Sequence, residues 1–182
     1  GNLIDKDEYL SGNVVEKLKV ARDAAAEDSR YDANVSALEA VQPEAIPFVD
    51  ISYKMGTPWI PVTVYEQFAE NVMGLSGVEV RYMPEIDEFV VNDGYIADYA
   101  KSNEYSTNER KAMLLFKDAI NLRKPVIYEK DAYGNRFKNE AATQDAVAKI
   151  VDINDAFKQY VEGRDDLHRQ LQNIYNERYN NY

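Results

Sequence analysis

Eight basic residues fall between positions 110 and 138: Arg110, Lys111, Lys117, Arg123, Lys124, Lys130, Arg136 and Lys138, with Asp118, Glu129 and Asp131 as the acids among them. Lys and Arg displace counterions from phosphates, which is the main source of sequence-independent affinity for nucleic acid. Arg110, Lys117, Arg123, Lys124, Lys130, Arg136 and Lys138 are therefore the candidate DNA contacts. Tyr128, Tyr133 and Phe137 are interleaved with the last of these cations, the pattern a nucleic-acid-binding hairpin requires. The plainer reading of the same residues is a solvated hairpin, because alternate strand residues share a face and the rings can turn inward while the charges meet water. Arg110, Lys117 and Lys124 recur every seven residues, which on one helix makes a drifting stripe. Glu104, Glu109 and Asp118 lie close enough in sequence to neutralise part of it.

Other residues with chemical potential are sparse. His168 is the single histidine; it sits beside Asp165 and Asp166 with no second His or nearby Ser to complete a metal set or triad, and reads as a solvated helix residue. The acidic words DEYL, VDIND and GRDD offer carboxylates, yet a magnesium site needs them to converge from separate elements. No metal site is assigned. Trp59, the single tryptophan, stands in GTPWIP. It is either a core anchor that holds the proline-rich segment, or a ring that stacks on a base or fills a partner's pocket.

These residues need elements to position them. Leu10, Val14, Leu18, Ala21 and Ala25 recur at helical spacing over 7–27, with Ser11 or Asn13 as cap. Tyr31, Val35, Leu38 and Val41 repeat the pattern in a second helix that Pro43 stops. Pro43, Pro47, Gly56, Pro58 and Pro61 then make residues 43–61 a structured connector without a long regular element. Thr63 to Glu66 reads as a capping box opening a helix over 64–73, closed by Gly74. Val78–Tyr82 and Phe89–Val91 predict a hairpin around Met83–Asp87. A second capping box, Ser106 to Glu109, predicts a helix over 107–123. Residues 125–128 and 135–138 flank Asp131–Gly134 in a second hairpin, with Gly134 free to adopt positive φ, and both hairpins are expected to share one small sheet. Two helices follow, the first carrying Val147, Ile150, Ile153, Phe157, Tyr160 and Val161, the second starting from an Asp165 cap after Gly163 and carrying Leu167, Leu171 and Ile174. The expected fold class is α+β, mostly helical, with one or two hairpins forming a small antiparallel sheet. A single accessory domain is expected over 1–182, divisible into a helical lobe at 1–75 and a hairpin-plus-helix lobe at 76–182.

Composition supports a packed chain. With 182 residues, 45% hydrophobic and 29% charged, it can bury about two thirds of its unfolded surface. No apolar run approaches the length of a membrane span, and the first thirty residues lack the pattern of a secretion signal. The absence of cysteine excludes disulfides and thiolate metal sites and agrees with a cytoplasmic setting. A net charge of −11 opposes DNA binding by the surface as a whole and leaves it to a local basic face. Gly1 reads as a remnant of cloning.

Four segments, DEYLSGNVVEKLKVAR at 7–22, LEAVQPEAIPFVDISYKMGTPWIP at 38–61, DAINLRKPVIYEKDAYGNRFKNEAAT at 118–143 and NIYNERYN at 173–180, together resemble one region of the large DNA methylase-helicase proteins of phages, plasmids and conjugative elements. In that family the stretch lies after an adenine-type methyltransferase and just before a Swi/Snf-type helicase. The resemblance implies that this chain is a piece of a longer protein, and that its partners are the flanking methylase and helicase domains of the same chain, with DNA as a further partner and no membrane. S-adenosylmethionine and ATP with Mg would serve those neighbours. The chain itself carries no N-P-P-Y or D-P-P-F loop to hold a base amino group, no G-x-x-x-x-G-K-[ST] loop to cradle phosphate, and no D-E-x-H box. The implied role is thus a non-catalytic accessory domain, without a cofactor of its own, that positions the catalytic modules or DNA. The competing role is a protein-interaction or spacer domain that never meets DNA.

Overall fold

The computed structural model describes residues 4–182; Gly1, read as a cloning remnant, lies outside them. The fold is α+β and mostly helical, as the patterning predicts. Its contacts divide the chain into two compact units, one formed by residues up to Ile51 together with His168–Tyr182, the other by Ser52–Leu167. The division does not fall at residue 75, because the helix that precedes that point contributes its aromatic side chains to the core of the second unit.

In the first unit the helix expected over 7–27 is two helices, α1 (Lys6–Tyr9) and α2 (Val14–Glu27). Gly12 breaks it at φ +70°, and the Asn13 side chain then accepts from the Glu16 N–H at 3.0 Å to open α2. Val14, Leu18 and Ala21 of α2 bury against Leu38 of α3 (Asp32–Glu39). Gln42 closes this helix pair by donating to the carbonyls of Val14 and Leu38. The connector that follows holds a 3-10 turn at Phe48–Asp50 and further turns at 55–56 and 58–59, with no longer regular element.

The second unit is built on an aromatic core. It opens with α4 (Val62–Asn71), whose cap is Pro61. The Thr63–Glu66 capping box is not formed: Thr63 is already inside the helix, and the Glu66 carboxylate accepts from the Val80 N–H at 2.9 Å instead. Tyr65 stacks on Phe157 at 5.1 Å and meets the Phe89 ring edge-on at 5.5 Å, while Phe68 meets Phe157 edge-on at 5.3 Å. The Tyr65 hydroxyl donates to the Thr57 carbonyl at 2.8 Å, tying the connector to this core, and burial pushes its pKa well up.

Strands β1 (Leu75–Ser76), β2 (Glu79–Met83), β3 (Glu88–Asn92) and β4 (Tyr95–Ile96) form one interrupted hairpin, β2 pairing with β3 and β1 with β4, all antiparallel. The interruption lies at Gly77 and Gly94; a Cβ on Gly94 would stand 1.9 Å from the Ser76 carbonyl oxygen. Helices α5 (Tyr99–Glu104) and α6 (Ala112–Ile120) follow. The helix expected over 107–123 is shorter at both ends. Ser106 does not cap a helix starting at 107; its hydroxyl accepts from the Ala112 N–H at 2.8 Å, six residues on, across a turn closed by Thr107 and Arg110. Strands β5 (Tyr128–Lys130) and β6 (Arg136–Lys138) make a separate two-stranded sheet. The two hairpins therefore do not share a sheet, since among the described residues no strand bridges them.

Helix α7 (Glu140–Glu162) buries Ala142, Ala146, Ile153, Phe157 and Val161 and ends at Gly163. Asp165 is the first residue of α8 (Asp165–Tyr179) rather than the residue before it. Within the first unit, α8 holds the connector through a ladder of amides four residues apart. Gln172 accepts from the Phe48 N–H, Asn176 both accepts from the Ile46 N–H and donates to the Ile46 carbonyl, and Asn180 donates to the Glu44 carbonyl, all at 2.8–2.9 Å. Among the described residues no helix is long and apolar enough to cross a membrane.

Candidate nucleic-acid interface

The basic run does not form one surface. Arg110 is held in a two-bond pair with Asp118, at 2.6 and 3.1 Å, where the Asp118 side chain is only 8% exposed. Lys117 pairs with Asp93. Arg123 pairs with Glu88 at 2.6 Å. Lys124 is exposed and makes no ion pair among the described residues. The sevenfold stripe also fails geometrically: Arg110 precedes α6 and Lys124 follows it, so Lys117 alone of the three lies on the helix.

Lys130, Arg136 and Lys138 are placed differently. They stand on the β5–β6 hairpin, whose six strand residues are all exposed. The hairpin is rooted at its base, where buried Ile127 donates its N–H to Thr143 Oγ1 at 2.9 Å and its carbonyl accepts from the Asn139 N–H at 2.8 Å. Asn139 in turn caps α7 through the Ala142 N–H. A solvent-facing arm thus springs from the start of a well-packed helix.

The register pairs Tyr128 with Lys138, Glu129 with Phe137, and Lys130 with Arg136. Opposed residues share a face, so Tyr128, Lys130, Arg136 and Lys138 lie together on one side and Glu129 and Phe137 on the other. The expected split, with rings inward and charges outward, is absent because neither face of the arm is covered. Arg136 instead lies over the Tyr128 ring, 3.9 Å from its centroid. Cation–π attraction holds the guanidinium at the face of the ring. Lys138 has Glu140 at 3.3 Å, an exposed pair that solvent largely screens.

The tip is a tight three-residue loop. Asp131 and Asn135 close it, the Asp131 N–H donating to the Asn135 carbonyl, and Gly134 supplies the positive φ of +81° that the turn needs. The Asp131 carboxylate accepts from the N–H groups of Asn135 and Tyr133 and from the Asn135 side chain. These bonds, the Asn135 N–H foremost, hold its pKa below the ordinary aspartate range. The Asp131 carboxylate is thus occupied by the turn. The loop lifts Tyr133 into water, 91% exposed.

The remaining candidates sit elsewhere. Trp59 is half-buried, neither a fully enclosed anchor nor a free platform. His168 is not solvated as expected: its ring stacks on Phe48 at 4.3 Å, and its Nε2 is buried without a hydrogen-bond partner among the described residues. Among those residues no three His, Asp or Glu side chains converge to hold a metal ion. The amide ladder of α8 was not anticipated, although Gln172, Asn176 and Asn180 at four-residue spacing are its signal in the sequence.

The chain belongs to the family described as Domain of unknown function (DUF8437), which it matches over residues 54–181, a span that includes the whole arm. No curated protein and no solved structure matches it.

Proposed function

We propose that this chain is a non-catalytic accessory domain that contacts DNA through the β5–β6 arm and positions it for neighbouring catalytic modules. The resemblance of its segments to the stretch before the helicase in phage and mobile-element DNA methylase-helicase proteins supplies the setting, a cytoplasmic one. Methyl transfer with S-adenosylmethionine and ATP hydrolysis with Mg belong to those neighbours. The observation that carries the reading is the contrast within the basic run: Arg110 is committed to the nearly buried carboxylate of Asp118 and Lys117 to Asp93, whereas Lys130, Arg136 and Lys138 share one face of an exposed arm with Tyr128, and the one carboxylate paired there, Glu140 beside Lys138, is itself exposed and screened. Three cations imply a shallow salt dependence, with log K falling against log salt at a slope of about −2 for a single strand and about −3 for a duplex.

Two charge reversals test this in a fluorescence anisotropy titration of the 182-residue chain with labelled DNA. Lys130→Glu with Arg136→Glu is expected to remove binding, whereas Arg123→Glu, already paired with Glu88, leaves the slope unchanged. Loss with Arg123→Glu and none with the arm variant would refute the arm as the contact. The net charge of −11 favours a second reading, a spacer or docking domain without DNA contact, and an absence of binding to any DNA form at low salt would select it.

A further inference from the structure

We infer that the arm takes single-stranded nucleic acid, with a base stacked on Tyr133 and phosphates on Lys130, Arg136 and Lys138; this rests on the DNA-contact reading above and adds the form of the ligand. Three observations point to a single strand. The arm exposes three rings in ten residues, Tyr128 at 49%, Tyr133 at 91% and Phe137 at 47%. Large apolar rings in water on a packed protein are most useful against a flat partner, and a duplex hides its base faces within its own stack. A single strand offers one π face per nucleotide, independent of sequence.

Charge leads to the same ligand. The arm supplies three cations against Glu129 and Asp131, with Glu140 beside Lys138 at its base, whereas a duplex binder commonly makes about 6–10 phosphate contacts. A rigid duplex would also carry its phosphates past the arm toward a chain of net charge −11. A flexible strand can follow the arm alone. Arg136 and Lys138, two residues apart on one strand, stand about 7 Å apart along it, close to the step between successive phosphates of an extended strand. Arg136 is pre-oriented by Tyr128 beneath it, so its planar donors are already held where a phosphate or a base would dock.

The test compares a labelled oligothymidylate with a blunt duplex of equal length, titrated with the 182-residue chain at low salt, alongside Tyr133→Ala and Tyr133→Phe. Tyr133 is almost wholly in solvent, so its variants keep the fold, and circular dichroism of each verifies this. The single strand is expected to bind at least about fivefold more tightly than the duplex, and Tyr133→Ala to lose at least about fivefold for the single strand while Tyr133→Phe retains binding, as loss of one stacked base predicts. Equal or tighter binding of the duplex, or equal affinity of Tyr133→Ala, overturns the single-strand inference while leaving DNA contact by the arm intact. Failure of both DNA forms to bind overturns the inference and the DNA-contact reading together.

Discussion

At the scale of single residues, a candidate's charge matters less than what already holds it. Arg110 looks like a phosphate contact in sequence, but its guanidinium is committed to the nearly buried carboxylate of Asp118. Removing one member of such a pair leaves the other desolvated and alone, so Asp118→Ala is expected to lower stability by about 3 kcal/mol in urea denaturation; a loss under about 1 kcal/mol would show the pair to be effectively solvated. Trp59 is half-buried, so Trp59→Ala should cost about 1–2 kcal/mol, short of the roughly 3–5 expected of a fully enclosed aromatic. Thermal denaturation decides between these values. Tyr128, Tyr133 and Phe137 were legible as aromatics interleaved with bases. Their exposure was not, because whether a ring turns inward depends on whether a second layer covers the strand, and that is a property of distant sequence.

At the scale of elements, the turn chemistry of the β5–β6 hairpin was readable. Asp131 and Gly134 are the residue types a tight loop with one positive-φ position demands. The Asp131 carboxylate has its pKa lowered by the hydrogen bonds it accepts, so its contribution to the loop is present above the ordinary aspartate range and is lost as pH falls through the lowered value. Following the amide signals of Tyr133 and Asn135 by NMR, we expect them to stay constant through mildly acidic pH and to move only below the usual carboxylate titration. Movement at the ordinary aspartate range would contradict the bonded loop. The interrupted hairpin makes a sharper demand: Gly94→Ala places a Cβ against the Ser76 carbonyl and should cost on the order of 3 kcal/mol or more. Helix existence was legible from apolar spacing, but both capping boxes misled. The Thr63 and Ser106 patterns compete with other backbone donors: strand β2 brings the Val80 N–H to Glu66, and a local turn brings the Ala112 N–H, six residues on, to Ser106. A local motif cannot register a partner that the fold delivers from elsewhere.

At the scale of the whole molecule, a net charge of −11 and a DNA contact are compatible only if the contact is small and set apart on an exposed element. The fold supplies such an element: Arg110, Lys117 and Arg123 lie against carboxylates, and the arm sets Lys130, Arg136 and Lys138 apart on one exposed face. The sequence showed where bases cluster but not which would be neutralised, since Asp93 and Glu88 reach Lys117 and Arg123 from a different hairpin. The most direct test of the account is a nitrogen-15 NMR titration of the 182-residue chain with a short oligothymidylate. The amides of residues 128–138 are expected to shift together, led by Tyr133 and Arg136, with those beside Arg110 and Arg123 unmoved. Shifts centred on any other part of the chain, or none at low salt, would contradict it.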